Sequence, residues 1–138
     1  MARILLIDDD DRLREAMWEV LTGEGHELAE ASDGIAALNV HRRHPADLII
    51  CDMFMPKQDG IETLQMFRQQ FPAVRIIAVS GGGYSGALDV LTMARHMGAS
   101  AVLTKPFRLG QLLAVVEQQL SEANTGLSAR SEDAASGK

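Results

Sequence analysis

Four of the apolar runs in this sequence lead into residues able to do phosphate or metal chemistry. Ile4–Ile7 ends at Asp8 and Asp9, Leu48–Cys51 at Asp52, Val74–Val79 at Ser80, and Ala101–Leu103 runs through Thr104 to Lys105. Carboxylates brought to ~4 Å repel by ~4 kcal/mol per pair at an effective dielectric near 20, so they must share a proton or bind a cation. An all-oxygen site with few carboxylates suits Mg²⁺ or Mn²⁺. A lysine beside them supplies a point charge for a phosphate oxygen, and the Ser80 hydroxyl can hydrogen-bond another. Phosphoryl transfer asks chiefly for positioning and charge neutralisation, which this set provides. An aspartate as the attacking group would form an acyl phosphate.

These residues lie as much as about a hundred positions apart, so a fold must gather them. The periodicity supplies one. After Asp8–Asp11, the residues Leu13, Ala16, Met17, Val20 and Leu21 recur at helical spacing and Gly23 and Gly25 close the segment. Leu28–Ala31 reads as a second strand, and Gly34 opens a helix with Ile35 and Leu38 that Pro45 ends. Ile61, Leu64 and Phe67 mark a third helix, stopped before Pro72, and Ala87–Met97 a fourth. Leu109, Leu112, Leu113, Val116 and Leu120 mark the fifth. Five short apolar runs alternate with five helices, and runs buried on both faces belong in parallel sheets. The expectation is a doubly wound five-stranded α/β domain over residues 1–120. From Ser121 to Lys138 the periodicity gives way to Ser, Ala, Gly and charge, which reads as a disordered tail or the stub of a linker.

Composition narrows the possibilities. A chain of 138 residues with 46% hydrophobic residues allows one domain with a real core. The formal net charge of −6 argues against nucleic acid and anionic membrane as partners, because phosphate repulsion is not offset. The lone Cys51 has no internal partner for a disulfide, and no apolar run approaches the ~20 residues of a membrane span. The expected location is cytoplasmic.

The ordered set Ile7-Asp8-Asp9, Asp52-Met53-Phe54-Met55-Pro56-Lys57-Gln58-Asp59-Gly60, Ser80 and Leu103-Thr104-Lys105-Pro106-Phe107 resembles the signature of response-regulator receiver domains over about Arg3 to Leu120. The resemblance implies a flavodoxin-like sheet in the order 2-1-3-4-5, with Asp9 and Asp52 flanking the switch point between strands 1 and 3. It implies that Asp52 is the phosphoacceptor and a metal ligand. Asp9 would bind Mg²⁺ or Mn²⁺ directly, Asp8 through water, and Phe54 through its backbone carbonyl. Ser80 and Lys105 would bind the phosphoryl group, and the peptide before Pro106 would be cis. The implied partners are a sensor histidine kinase or a histidine phosphotransfer protein, with an unknown downstream protein receiving the signal. Two departures stand out. Val102 occupies the position where the family often has an aromatic switch, and Gly81–Gly86, which includes Tyr84, is a longer and more glycine-rich loop than usual.

Other residues take plainer readings. Asp10 and Asp11 read as helix caps, Cys51 as a core residue facing away from Asp52, and His41 and His44 as a solvated helix end. Trp18 lies beside the apolar stripe, as a half-buried edge residue or part of a docking surface. A metal-dependent phosphohydrolase of the haloacid-dehalogenase type would want a second aspartate two residues after the nucleophile, and Phe54 stands there. A receiver degenerated into a binding module would have lost key positions, and all are intact.

Overall fold

A computed structural model describes residues 2–53, 60–81, 92, 94–96 and 98–136, with side chains described as far as residue 122. Strand and helix alternate along the chain as β1 (Arg3–Ile7), α1 (Asp11–Gly23), β2 (Glu27–Ala31), α2 (Gly34–Arg43), β3 (Leu48–Asp52), α3 (Gly60–Gln70), β4 (Arg75–Gly81), β5 (Ala101–Lys105) and α4 (Leu109–Ser136). The expected helix over Ala87–Met97 lies largely outside the described residues, although positions 92 and 94–96 within it are helical. All strand pairs are parallel and the sheet order is β2-β1-β3-β4-β5, the order implied by the resemblance.

The strands alternate their side chains between two cores. Leu5, Ile7, Ile49, Cys51, Ile76 and Ala78 face Ala37, Leu38, Leu64 and Phe67 of α2 and α3. Ile4, Leu6, Leu48, Ile50, Ile77 and Val79 face Met17, Leu21, Leu112 and Val116 of α1 and α4. Every residue of β3 is buried, as a central strand covered on both sides requires. Cys51 falls in the α2/α3 core, away from the Asp52 side chain, as alternation predicts.

The helix starts follow local chemistry. Asp10 is the N-cap of α1 and accepts from the amides of Arg12 and Leu13 at 3.1 and 3.2 Å. Asp11 occupies the first turn, where its charge complements the helix dipole. Asp33 caps α2 through the amide of Ala36 at 2.8 Å.

Two features differ from the sequence reading. His41 is buried, not solvated: it follows Ala37 and Leu38 onto the inner face of α2 and meets the edges of Phe67 and Phe71 at centroid distances of 5.6 and 4.4 Å. Its Nδ1 accepts from the amide of Ala46 at 3.0 Å, and burial lowers its pKa, so the ring stays neutral and shares an aromatic cluster. The backbone of α4, moreover, is helical to Ser136, well past Leu120. No proline interrupts residues 121–136, so nothing forces the helix to stop where its apolar stripe does.

Candidate functional site

The sheet order creates a crevice before any side chain is considered. Strands β1 and β3 are neighbours, yet α1 leaves β1 toward one face and α2 and α3 pack on the other. At such a switch point the connections diverge beyond the carboxyl ends of the strands. Ile7 of β1 is in register with Cys51 of β3, so Asp8 and Asp52 emerge side by side.

Asp8 is 2% exposed and Asp52 4%, while Asp9 is exposed. One carboxylate oxygen from each of the three lies within 4.8 Å of the others. Lys105 Nζ, delivered by the end of β5, stands 3.7 Å from Asp8 Oδ2 and 3.6 Å from Asp52 Oδ2. Ser80 is in register with Thr104 on β5 and is fully buried, and its Oγ has no hydrogen-bond partner among the described residues. Leaving a buried hydroxyl unsatisfied costs about 1–3 kcal/mol, so this atom is suited to a partner that the described residues do not provide. The three carboxylates and the orphan hydroxyl fit a divalent ion and an oxyanion side by side. Phe54 and positions 82–86 of the glycine-rich loop, Tyr84 included, lie outside the described residues. Val102 is half-buried and packs against the α2/α3 core, and the Lys105–Pro106 peptide is cis.

Two residues matter here that periodicity alone does not reveal. A Cβ on Gly60 would lie 2.3 Å from Cα of Met53 and 2.5 Å from the backbone oxygen of Asp52. Only glycine lets α3 begin this close to the end of β3, and the Gly60 amide donates to Met53 O at 3.2 Å. The second is Arg14, whose Nη1 donates to the backbone carbonyl of Asp8. Its one local signal was an aspartate three positions earlier, Asp11, which it also pairs at 2.6 Å.

Burial raises the Asp8 pKa from 3.8 to about 6, against the lowering effect of the Asp10 amide on its carboxylate; the Asp52 charge adds to the rise and Lys105 opposes it. The sign of the consequence follows from proton counting. Between pH 3.8 and about 6 the folded metal-free domain holds a proton that the unfolded chain has released, so stability falls as pH rises through that window. The loss is on the order of 3 kcal/mol and is complete above the folded pKa. A cation binding beside ionised Asp8 reverses the preference, so Mg²⁺ should stabilise the domain at pH 7 and progressively less at pH 5. Thermal unfolding across this range, with and without Mg²⁺, checks both halves. An Asp8→Asn chain should show a flatter metal-free profile.

Comparison with known proteins points to one family. The response regulator receiver domain family matches residues 4–117. The response regulator protein FleR of Pseudomonas aeruginosa is 36% identical over 115 residues, which is 83% of this chain but 24% of FleR. The sporulation initiation phosphotransferase F of Bacillus subtilis is 30% identical over 118 residues, 86% of this chain and 93% of that protein. A crystal structure of a CheY-like receiver domain protein from Methanospirillum hungatei superimposes with a TM-score of 0.84 at 25% identity, covering 91% of this chain and 98% of that one. The chain thus spans about a quarter of FleR and nearly all of the sporulation protein.

Proposed function

Because this chain belongs to the response regulator receiver family, the phosphoacceptor modules of two-component signalling, we propose that Asp52 is its phosphoacceptor and that Asp8, Asp9 and Asp52, with the Phe54 carbonyl, hold Mg²⁺ or Mn²⁺. The donor in this reading is a phosphohistidine on a sensor kinase or phosphotransfer protein. A carboxylate oxygen of Asp52 attacks phosphorus, a P–O bond forms, and the P–N bond breaks with its electron pair leaving on the imidazole. The bound ion would neutralise charge on the transferring phosphoryl oxygens. Lys105, already within 3.6 Å of Asp52, follows the new phosphoryl group as its counter-charge. Ser80 donates its hydroxyl hydrogen to a phosphoryl oxygen, which gives the orphan Oγ its missing partner. In this reading the receiver unit is residues 1–120, and the residues from Ser121 onward lie outside it.

The domain acts as a switch that is phosphorylated and loses its phosphate, not as a turnover enzyme. Its place is the cytoplasm, where kinase partners present phosphohistidine; no described helix is long and apolar enough to cross a membrane. The observation that carries the proposal is the buried Asp52 carboxylate with two further aspartates within 4.8 Å and a lysine at 3.6 Å.

Acetyl phosphate and Mg²⁺ should load one phosphoryl group per chain, labile to base and to hydroxylamine, and omission of Mg²⁺ should prevent loading. A label on serine, or steady turnover of an external phosphate ester, would refute the reading.

A further inference from the structure

Arg14 is one turn into α1, yet its guanidinium turns back over the acidic loop, with its side chain only 15% exposed. Its donors reach three places at once. Nη1 donates to the Asp8 carbonyl, Nη2 to Asp11 Oδ1 at 2.6 Å, and Nε to Glu30 Oε2 on the edge strand β2 at 3.3 Å.

Asp8 is held at three further points: its amide donates to Ala31 O at 3.3 Å, its Oδ1 accepts from the Asp10 amide at 2.8 Å, and its Oδ2 pairs with Lys105 Nζ at 3.7 Å. Asp9 is different. It is exposed, and no hydrogen bond or ion pair among the described residues holds its carboxylate. Among the described residues, what sets its direction is the peptide that joins it to Asp8, and the carbonyl of that peptide is the one Arg14 grips. Resting on the assignment of Asp9 as a direct metal ligand, we propose that Arg14 is the positioning residue of the metal site: it fixes the Asp8–Asp9 peptide against α1 and β2 and so aims the Asp9 carboxylate at the ion shared with Asp52.

The sign of the effect separates positioning from charge. A guanidinium beside an acidic cluster opposes cation binding by Coulomb repulsion alone, so removing it should tighten binding if charge were its whole role. Loss of a group that orients a metal ligand weakens binding, typically 10–100-fold. Lysine retains the charge but, as a single ammonium, does not reproduce the planar fork that spans three acceptors.

The test is Mn²⁺ binding to the full chain, read from the electron paramagnetic resonance of the free ion, for the parent, Arg14→Ala, Arg14→Lys and the control Asp9→Asn. Folding is verified by circular dichroism. The expected result is tight binding by the parent, loss in Asp9→Asn, and affinity about tenfold or more weaker in both Arg14 variants. In the metal-free Arg14→Lys chain the Asp9 and Asp10 amides should exchange hydrogen faster than in the parent, a readout that needs no metal. Failure of the parent to bind Mn²⁺ would overturn the metal assignment and this proposal together. Parent and Asp9→Asn behaving as expected, with folded Arg14→Lys binding as tightly as the parent, would overturn the role of Arg14 alone. Should Arg14→Ala not fold, Arg14→Lys decides; should neither fold, Arg14 is a general stability residue and the proposal fails.

Discussion

Asp52→Asn should reduce phosphoryl uptake from acetyl phosphate to background, a loss of roughly 10³-fold or more by comparison with removal of other nucleophiles. The carboxamide preserves the shape of the side chain at the end of β3 but has no anionic oxygen to attack phosphorus. Misfolding should not explain the loss. The substitution removes one of the charges that push the Asp8 pKa upward, and Lys105 keeps Asp8 as a partner at 3.7 Å. The metal-free variant should therefore be at least as stable as the parent. Phosphate counted by intact-protein mass spectrometry, beside a thermal melt, measures both quantities on one sample. Undiminished labelling in a folded Asp52→Asn chain would exclude Asp52 as the acceptor.

Asp9→Asn should abolish the response to Mg²⁺ and raise the melting temperature without it. The parent should gain about 1.4 kcal/mol when Mg²⁺ is present at ten times its dissociation constant. Removing one of the three carboxylates takes away a direct ligand and also relieves repulsion within the 4.8 Å cluster. Asp9 is exposed, so water screens its part of that repulsion, and the relief is worth about 1 kcal/mol, a few degrees of melting temperature. The opposite effects in the two conditions are diagnostic, since a residue that only supported the fold would lower stability in both. Thermal melts over a Mg²⁺ titration, compared with a Ca²⁺ series, supply the measurement. An Asp9→Asn chain that still responds to Mg²⁺ as the parent does would mean that the ion sits elsewhere.

Much of this was legible locally. The order of strands and helices follows from hydrophobic period, which is set by how often a backbone turns side chains toward a core, and β1, β3 and β5 begin and end close to where the apolar runs do. The alternation of strand with helix also requires parallel strands with their carboxyl ends on one edge. That is why Asp8, Asp52, Ser80 and Lys105 could be grouped without coordinates. Asp10 as a cap and Cys51 as a core residue likewise depend only on near neighbours.

Contacts between distant segments were not legible in the same way. His41 and His44 looked alike as a polar pair at a helix end, but α3 supplies Phe67 and the following turn Phe71, and these make one of them a core residue. That Ser80 Oγ finds no partner among the described residues depends on how β4 and β5 pack around it, which no spacing encodes. The closeness of Gly60 to Asp52 is set by the approach of α3 to the end of β3. Arg14 is an ordinary exposed-helix charge in the sequence; only the packing of α1 beside β2 brings its fork onto the Asp8 carbonyl and Glu30 together. The sequence by itself determined which elements form and which chemical groups stand at their ends, because those follow from the local period of burial. The tertiary structure alone decided which of those groups meet and which side chains hold them in place, because hydrogen bonds and ion pairs act over a few ångströms and their partners are chosen by packing.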